Sequence, residues 1–319
     1  MKYISGEFIE SITMKEAVGA MSIAFAAISD NQASLPQRIN LEPGQKDANI
    51  LVMPSSAFGI TGVKITSLYK NNPYRNLPMT QGLMVIIDNE TGEPIAMLDA
   101  VSLTALRTGA ASGLASELLS RKDSKVLGVF GSNEQAEKQI EGVIESRAVE
   151  RILVFARDKE KTISFCKNVS EKTGIETMPG KNPDDLSLCD IICTATNSCN
   201  PLFEHSRIEP GIHINAVGSY KSGSREIPGE TIAGSKLVVD QMQAALKEAG
   251  DILIPLNEGL IRSSHIYAEL GEIVSGKKTG RSSVDEITVF KSVGIAVQDL
   301  ALAKAVLHKS KISESAAGF

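Results

Sequence analysis

The chain has 319 residues, with 33 basic against 38 acidic side chains for a formal net charge of -5, four cysteines and no tryptophan. There is no basic surplus to neutralise phosphate backbones and no disulfide framework, which argues against nucleic acid, anionic membrane or a small cross-linked scaffold. With 42% hydrophobic and 22% charged residues it reads as an ordinary globular protein of about two domains. Its start has neither an apolar run nor a small-residue cleavage site, so a cytoplasmic location is expected.

Thr13 and Glu16 stand in capping-box spacing ahead of Met14, Val18, Met21, Phe25 and Ile28, which predicts an amphipathic helix. From Leu35 to Leu98 the rhythm turns to short β-like runs: Gln37 to Leu41, Ile50 to Met53, Gly62 to Tyr69, Leu83 to Asp88 and Pro94 to Leu98. These predict antiparallel strands of a small α+β unit. A second helix is expected from Ser102 to Ser120, thinned on one side by Gly109, Ala110, Ala111, Gly113 and Ala115 so that another backbone can approach. After the charged break Arg121-Lys122-Asp123, strand and helix alternate: Lys125 to Phe130, Gln135 to Ser146, Arg151 to Phe155, Lys159 to Lys172. Asp190 to Thr194, Ile212 to Val217 and Lys236 to Val239 add further apolar runs, and this order predicts a parallel, doubly wound sheet. A last helix, Val293 to His308, is apolar on one stripe and is placed to rejoin the first unit.

The strand ending at Phe130 runs into Gly131-Ser132-Asn133-Glu134-Gln135-Ala136 and then a helix, the arrangement that turns backbone N–H groups and a helix dipole toward a pyrophosphate. Asn133 stands where glycine is usual, and asparagine tolerates positive φ best after glycine. About twenty residues on, at the ribose-reading position of such a fold, come Ala156-Arg157-Asp158. Arg157 favours the 2′-phosphate of NADP, and Asp158 leaves NAD open. Arg38, Lys64 and Arg107 are separated cations of the first unit that together suit a carboxylate. Cys166, Cys189, Cys193 and Cys199 lack zinc or redox spacing and read as small buried thiols, and His213, in an apolar strand, reads as a satisfied core residue. No metal is expected.

Several separated stretches, in order along essentially the whole chain, resemble the ornithine cyclodeaminase and mu-crystallin family. They are Leu35-Pro36-Gln37-Arg38, Gly62-Val63-Lys64-Ile65, Leu98-Asp99-Ala100 through Thr104-Ala105-Leu106-Arg107-Thr108-Gly109-Ala110, Gly131 to Ala136, Asn215-Ala216-Val217-Gly218, and Arg281-Ser282-Ser283 through Lys291-Ser292-Val293-Gly294. The resemblance implies an α/β architecture: a doubly wound Rossmann NAD(P)-binding domain over 121–294, and an α+β substrate-binding and dimerisation domain of antiparallel strands over 1–120. A C-terminal helix over 295–319 would rejoin the second of these, in a homodimer. It further implies substrate-carboxylate contacts from Arg38, Lys64 and Arg107, with Val293 lining the substrate. Cofactor contacts are implied for Arg107 and Thr108 on the phosphates, for Gly131, Asn133, Glu134 and Gln135 at the turn and Arg157 at the ribose, and for Thr194, Val217, Gly218, Ser219 and Ser292 around the nicotinamide.

One departure bears on activity. Cyclodeaminases of the family carry an aspartate two residues after the glycine of the Asn-Ala-Val-Gly run, where this chain has Tyr220. A phenol, with a pKa of about 10, is a poor base at neutral pH. The expectation is therefore NAD(P)H-dependent reduction of a cyclic ketimine acid, of the Δ1-pyrroline-2-carboxylate or Δ1-piperideine-2-carboxylate type, or the related oxidative deamination of an amino acid. NADP(H) is favoured and NAD(H) possible, with Lys64, Arg107 and Tyr220 as the candidate catalytic groups. The alternatives are cyclodeamination of ornithine or lysine with bound NAD, and a non-catalytic NADPH-dependent binding protein of the mu-crystallin type.

Overall fold

The computed structural model describes residues 1–44, 47–181 and 183–310. The chain divides into two compact units, one formed by Met1–Arg107 with the segment from Ile295 on, the other by Thr108–Gly294. The sequence suggested a boundary after residue 120. The division instead falls within a single continuous helix, which runs on without a break to the charged turn at Arg121.

The first unit opens with β1 (Lys2–Ile4), α1 (Gly6–Glu10) and α2 (Met14–Ser29), the last closed by a reciprocal Thr13–Glu16 capping box. Strands β2 (Ile39–Leu41), β3 (Ala48–Ala57), β4 (Ile60–Tyr69), β5 (Thr80–Asp88) and β6 (Pro94–Asp99) follow, and α3 (Ala100–Leu119) leaves the sheet. The order is β1-β6-β5-β4-β3-β2, antiparallel except where β1 lies parallel to β6. The edge strand β1 is a correction to the sequence reading, since three residues carry no usable alternation. Along β4, Ile60, Gly62 and Lys64 are buried while Thr61, Val63 and Ile65 alternate outward, as period-two geometry requires.

The second unit holds β7 (Val126–Phe130), α4 (Glu134–Ser146), β8 (Arg151–Phe155), α5 (Lys159–Thr173), β9 (Glu176–Pro179), β10 (Ile191–Thr194) and β11 (His213–Ala216). It continues through α6 (Gly229–Ala233), β12 (Lys236–Val239), α7 (Met242–Glu248), α8 (Gly250–Asn257), β13 (Ile266–Glu269), α9 (Leu270–Val274) and β14 (Thr288–Lys291). All eight strands are parallel, in the order β13-β12-β14-β11-β10-β7-β8-β9. Strands β9, β13 and β14, four residues each, lie beyond the runs the sequence predicted. Adjacent strand residues feed opposite cores: Ile152, Val154, Ile191 and Cys193 pack with α4 and α5, while Leu153, Ile192 and Ile214 pack with the other helices and loops. The chain winds from β7 outward to β9 and re-enters beside β7 at β10. Ligands of open parallel sheets bind at such a reversal, outside the carboxyl ends of the strands.

The final helix, α10 (Ala296–Lys309), belongs to the first unit, where it packs on α2, β3 and β4. Residues 311–319, to which the expected C-terminal helix extends, lie outside the described residues. Among the described residues no helix is long and apolar enough to cross a membrane.

Candidate active site

In the first unit two of the three cations singled out by sequence, Lys64 and Arg107, share one buried acid, Asp299, and the third, Arg38, acts on Lys64 as a like charge. Lys64 faces inward from β4, two residues after Gly62, where a Cβ would lie 2.3 Å from the Met84 side chain and 2.8 Å from that of Leu300. The lysine is 2% exposed; its ammonium donates to Thr104 Oγ1 at 3.1 Å and to Asp299 Oδ2 at 2.7 Å. Arg107, on α3, donates through Nε to Asp299 Oδ1 at 3.2 Å and through Nη1 to Gln298 Oε1 at 3.0 Å. Burial pulls the Lys64 ammonium down to about 8; the Asp299 charge and hydrogen bond oppose this, and the like charges of Arg107 and Arg38 add to it. Arg38 is half-buried just before β2. Gln298 and Asp299, both fully buried in the first turn of α10, were not singled out by sequence. The available signal was two polar residues side by side inside an otherwise apolar stripe.

In the second unit Gly131 ends β7 at φ +119, and a Cβ there would lie 2.9 Å from the Ala195 carbonyl oxygen, so only glycine lets the turn close against the strand-end loop. The expectation that Asn133 replaces glycine in a positive-φ position is corrected. Its φ is -117, and it serves as the N-cap of α4: Oδ1 accepts from the Ala136 N–H at 2.9 Å, and Nδ2 donates to the Ala195 carbonyl at 3.1 Å. Asparagine is chosen here for its side chain. Glu134 is exposed and Gln135 half-exposed in the first turn. The remaining amides of that turn and the tight glycine are what a pyrophosphate needs, so the turn fits a dinucleotide. Arg107 and Thr108 do not sit at a helix start, because α3 begins at Ala100 and Asp99 caps it by accepting from the Ser102 N–H. Both residues lie two turns in, where their amides are spent within the helix, so a contact to a ligand would have to come from their side chains.

Three buried carboxylates unforeseen by sequence, Glu226, Asp251 and Asp240, order the loops at the carboxyl ends of the strands. Glu226 accepts from Thr194 Oγ1 at 2.9 Å, Thr196 N–H at 2.9 Å, Thr196 Oγ1 at 2.6 Å and the Ser219 N–H at 3.1 Å. Burial pushes its carboxyl above the usual range, against the pull of Lys291 and the Thr196 hydrogen bond. A Cβ on Gly218 would lie 2.4 Å from that carboxylate. Lys291 in turn pairs with buried Asp251 at 2.7 Å and donates to the Ser219 carbonyl. Asp240 accepts from Ser292 Oγ and from the Val293 and Gly294 N–H groups, each at 2.8 Å. Thus Thr194, Gly218 and Ser219 share one anchor, and Ser292 and Val293 share another. Val217 packs partly buried against the α4–α5 core.

Arg157 is exposed after β8, and among the described residues it has no ion-pair partner. Asp158 is occupied as the N-cap of α5, accepting from the Lys161 N–H at 3.1 Å. Beside them a cavity of about 620 Å³ is lined by Phe130, Phe155, Ala156, Lys181, Phe203 and Arg207 among others. His213 is fully buried and bonded to Thr288 and Asn215, and burial pulls its imidazole down to about 3, so it is a neutral core residue. Cys166, Cys189 and Cys193 are buried, whereas Cys199 is exposed, a correction to the uniform reading. Tyr220 is half-buried against the core that holds Phe203 and Ile214.

A sequence profile of the ornithine cyclodeaminase/mu-crystallin family matches residues 5–314. The chain belongs to that family. A Δ1-pyrroline-2-carboxylate reductase of Bacillus cereus is 38% identical over 303 residues, covering 94% of this chain and 93% of that protein. The Thermococcus litoralis Δ1-pyrroline-2-carboxylate reductase, solved with NADH and L-proline, superposes with a TM-score of 0.93 at 38% identity, covering 97% of each chain. An archaeal alanine dehydrogenase dimer with bound NAD gives 0.92 at 32% identity, covering 98% of this chain and 96% of its own. These members of the ornithine cyclodeaminase/mu-crystallin family are, by name, oxidoreductases of amino and imino acids.

Proposed function

We propose that this chain catalyses NAD(P)H-dependent reduction of a cyclic ketimine acid of the Δ1-pyrroline-2-carboxylate or Δ1-piperideine-2-carboxylate type. It is an oxidoreductase acting on the C–N bond of amino or imino acids. The observation that carries this reading is the buried Lys64–Arg107 pair, two cations sharing one carboxylate, which leaves net positive charge for an anion. Arg107, with two of its nitrogens tied to Gln298 and Asp299, presents the rest of its fork to a substrate carboxylate, and Arg38 adds a third positive charge. When bound, a reduced nicotinamide cofactor would supply the hydride that the imine carbon takes up. Lys64, its ammonium lowered by burial to about 8, holds a proton that can pass to the ring nitrogen as the C=N bond becomes an amine. Reduction of a preformed ring imine expels no ammonia, so the absence of an aspartate at Tyr220 is no handicap. The Gly131 turn and the Glu226- and Asp240-anchored loops support the dinucleotide assignment, with the pyrophosphate at α4 and the nicotinamide near Thr194, Gly218, Ser219 and Ser292. Exposed Arg157, beside an Asp158 already committed to helix capping, supports NADP(H) over NAD(H). A homodimer is part of the same proposal.

The test follows NADPH and NADH oxidation at 340 nm with Δ1-pyrroline-2-carboxylate, Δ1-piperideine-2-carboxylate, and pyruvate plus ammonia, alongside an ornithine-to-proline assay. Turnover of a ring imine is expected, reduced about 100-fold or more in Lys64→Ala and Arg107→Ala. Unimpaired variants contradict the site, a tenfold preference for NADH overturns the cofactor choice, and proline formed from ornithine without net NADH change restores the cyclodeaminase alternative.

A further inference from the structure

We infer that Gln298 is a substrate-binding residue whose side-chain amide donates to the substrate carboxylate beside Arg107. Gln298 is fully buried, and its Oε1 accepts two hydrogen bonds, from Arg107 Nη1 at 3.0 Å and from the Ile295 N–H at 3.1 Å. Both partners are obligate donors, so the atom they share must be the oxygen and the amide cannot be flipped. That fixes Nε2 as the opposite atom, and among the described residues Nε2 has no hydrogen-bond partner. A buried N–H donor left unmade calls for an explanation. Its neighbourhood supplies one: Gln298 leans on the guanidinium that, with Lys64, forms the cationic cluster, and Asp299, the acid of that cluster, is already occupied by Lys64 and by Arg107 Nε. The acceptor that a buried, positively charged site with a spare amide donor calls for is an anionic oxygen brought by the ligand. A carboxylate has two oxygens with about four lone-pair sites, so it can accept from Arg107 and from an amide at once. Being neutral, Gln298 adds direction without adding charge.

The inference rests on the reading of Lys64 and Arg107 as carboxylate anchors, and the experiment separates the two. Pyrrole-2-carboxylate, a flat ring carboxylate that cannot be reduced by hydride, is titrated calorimetrically into the protein saturated with NADPH, for the wild type, Gln298→Glu and Gln298→Met. Gln298→Glu keeps both accepted hydrogen bonds and the side-chain volume but replaces the spare donor with a second anionic oxygen. It is expected to retain the melting temperature and NADPH affinity while binding pyrrole-2-carboxylate about 10- to 100-fold more weakly, with a matching rise in KM for the ring imine. Gln298→Met, which removes the donor without adding charge, is expected to bind pyrrole-2-carboxylate about 10-fold or more weakly as well; a Gln298→Met that binds it like wild type leaves the Gln298→Glu loss to charge alone and overturns the proposal. Failure of the wild type itself to bind the carboxylate would instead overturn the anchor reading beneath it.

Discussion

At the scale of single residues, the decisive feature is that one side chain, Asp299, carries the counter-charge for two cations. Breaking a buried pair from one side leaves an uncompensated charge and typically costs about 3–5 kcal/mol, so Asp299→Asn is expected to melt at a lower temperature. Its diagnostic effect is on pH. Lys64 already loses its proton near 8, because burial outweighs the pull of Asp299. Removing that pull moves deprotonation lower still, so the alkaline limb of kcat/KM for the ring imine is expected to shift to lower pH in Asp299→Asn. A limb that stays in place while stability falls would limit Asp299 to a structural role. The cations were legible in the sequence because each interrupts a patterned segment with a charge. Asp299 was not, since it lies 235 residues from Lys64 along the chain and only the folding of α10 onto the sheet brings it there. Gln298 was hidden for the same reason, and Glu226 and Asp240 because an acid looks like surface until a ring of backbone amides is found pointing at it.

At the scale of elements, spacing proved more informative than identity. The small residues of α3 announced a close approach, and within the second unit that approach is to α4: a Cβ on Gly109 would lie 2.1 Å from the Lys138 carbonyl oxygen, and one on Gly142 would lie 2.0 Å from the Gly109 carbonyl oxygen. What the sequence withheld was the partner, since the seam needs glycines from two helices and Gly142 carries no special pattern. Both obstacles are backbone atoms, which cannot step aside as a flexible side-chain end can. Gly109→Ala is therefore expected to destabilise by at least about 1–3 kcal/mol. Gly19, inside α2, has nothing within 4 Å of its virtual Cβ. There the same substitution removes only glycine's helix penalty and is expected to stabilise by about 0.5–1 kcal/mol. Chemical denaturation of the two variants measures both signs, and a benign Gly109→Ala would refute the seam. The turn after β7 teaches the complementary lesson: its place was plain from strand, glycine and helix order, but the use of Asn133 as a cap depends on dihedral angles that composition does not encode.

At the scale of the whole molecule, the outer face of the six-stranded sheet bears on assembly. Residues paired across neighbouring strands share a face, so the register traces rows along it. One row runs Ile39, Val52, Ile65, Leu83 and ends on Asp99, and the next runs Pro54, Val63, Val85, Met97, Tyr3. Every member except the terminal Asp99 is apolar or aromatic, yet Ile39 is 52%, Ile65 40% and Tyr3 57% exposed. An antiparallel sheet with one solvated face normally alternates apolar inward and polar outward, and two apolar rows spanning the strands form the kind of contiguous patch that marks an interface. A second copy of the chain, bringing the same rows to a self-complementary contact, is the occupant that fits the proposed homodimer. Val85→Glu places a charge at the centre of the second row without touching Met84 or Lys64 on the opposite face. Sedimentation equilibrium is expected to give the mass of two chains for the wild type and of one for Val85→Glu. A wild type that sediments as a single chain at micromolar concentration would leave these rows without a partner and sink the assignment of this face.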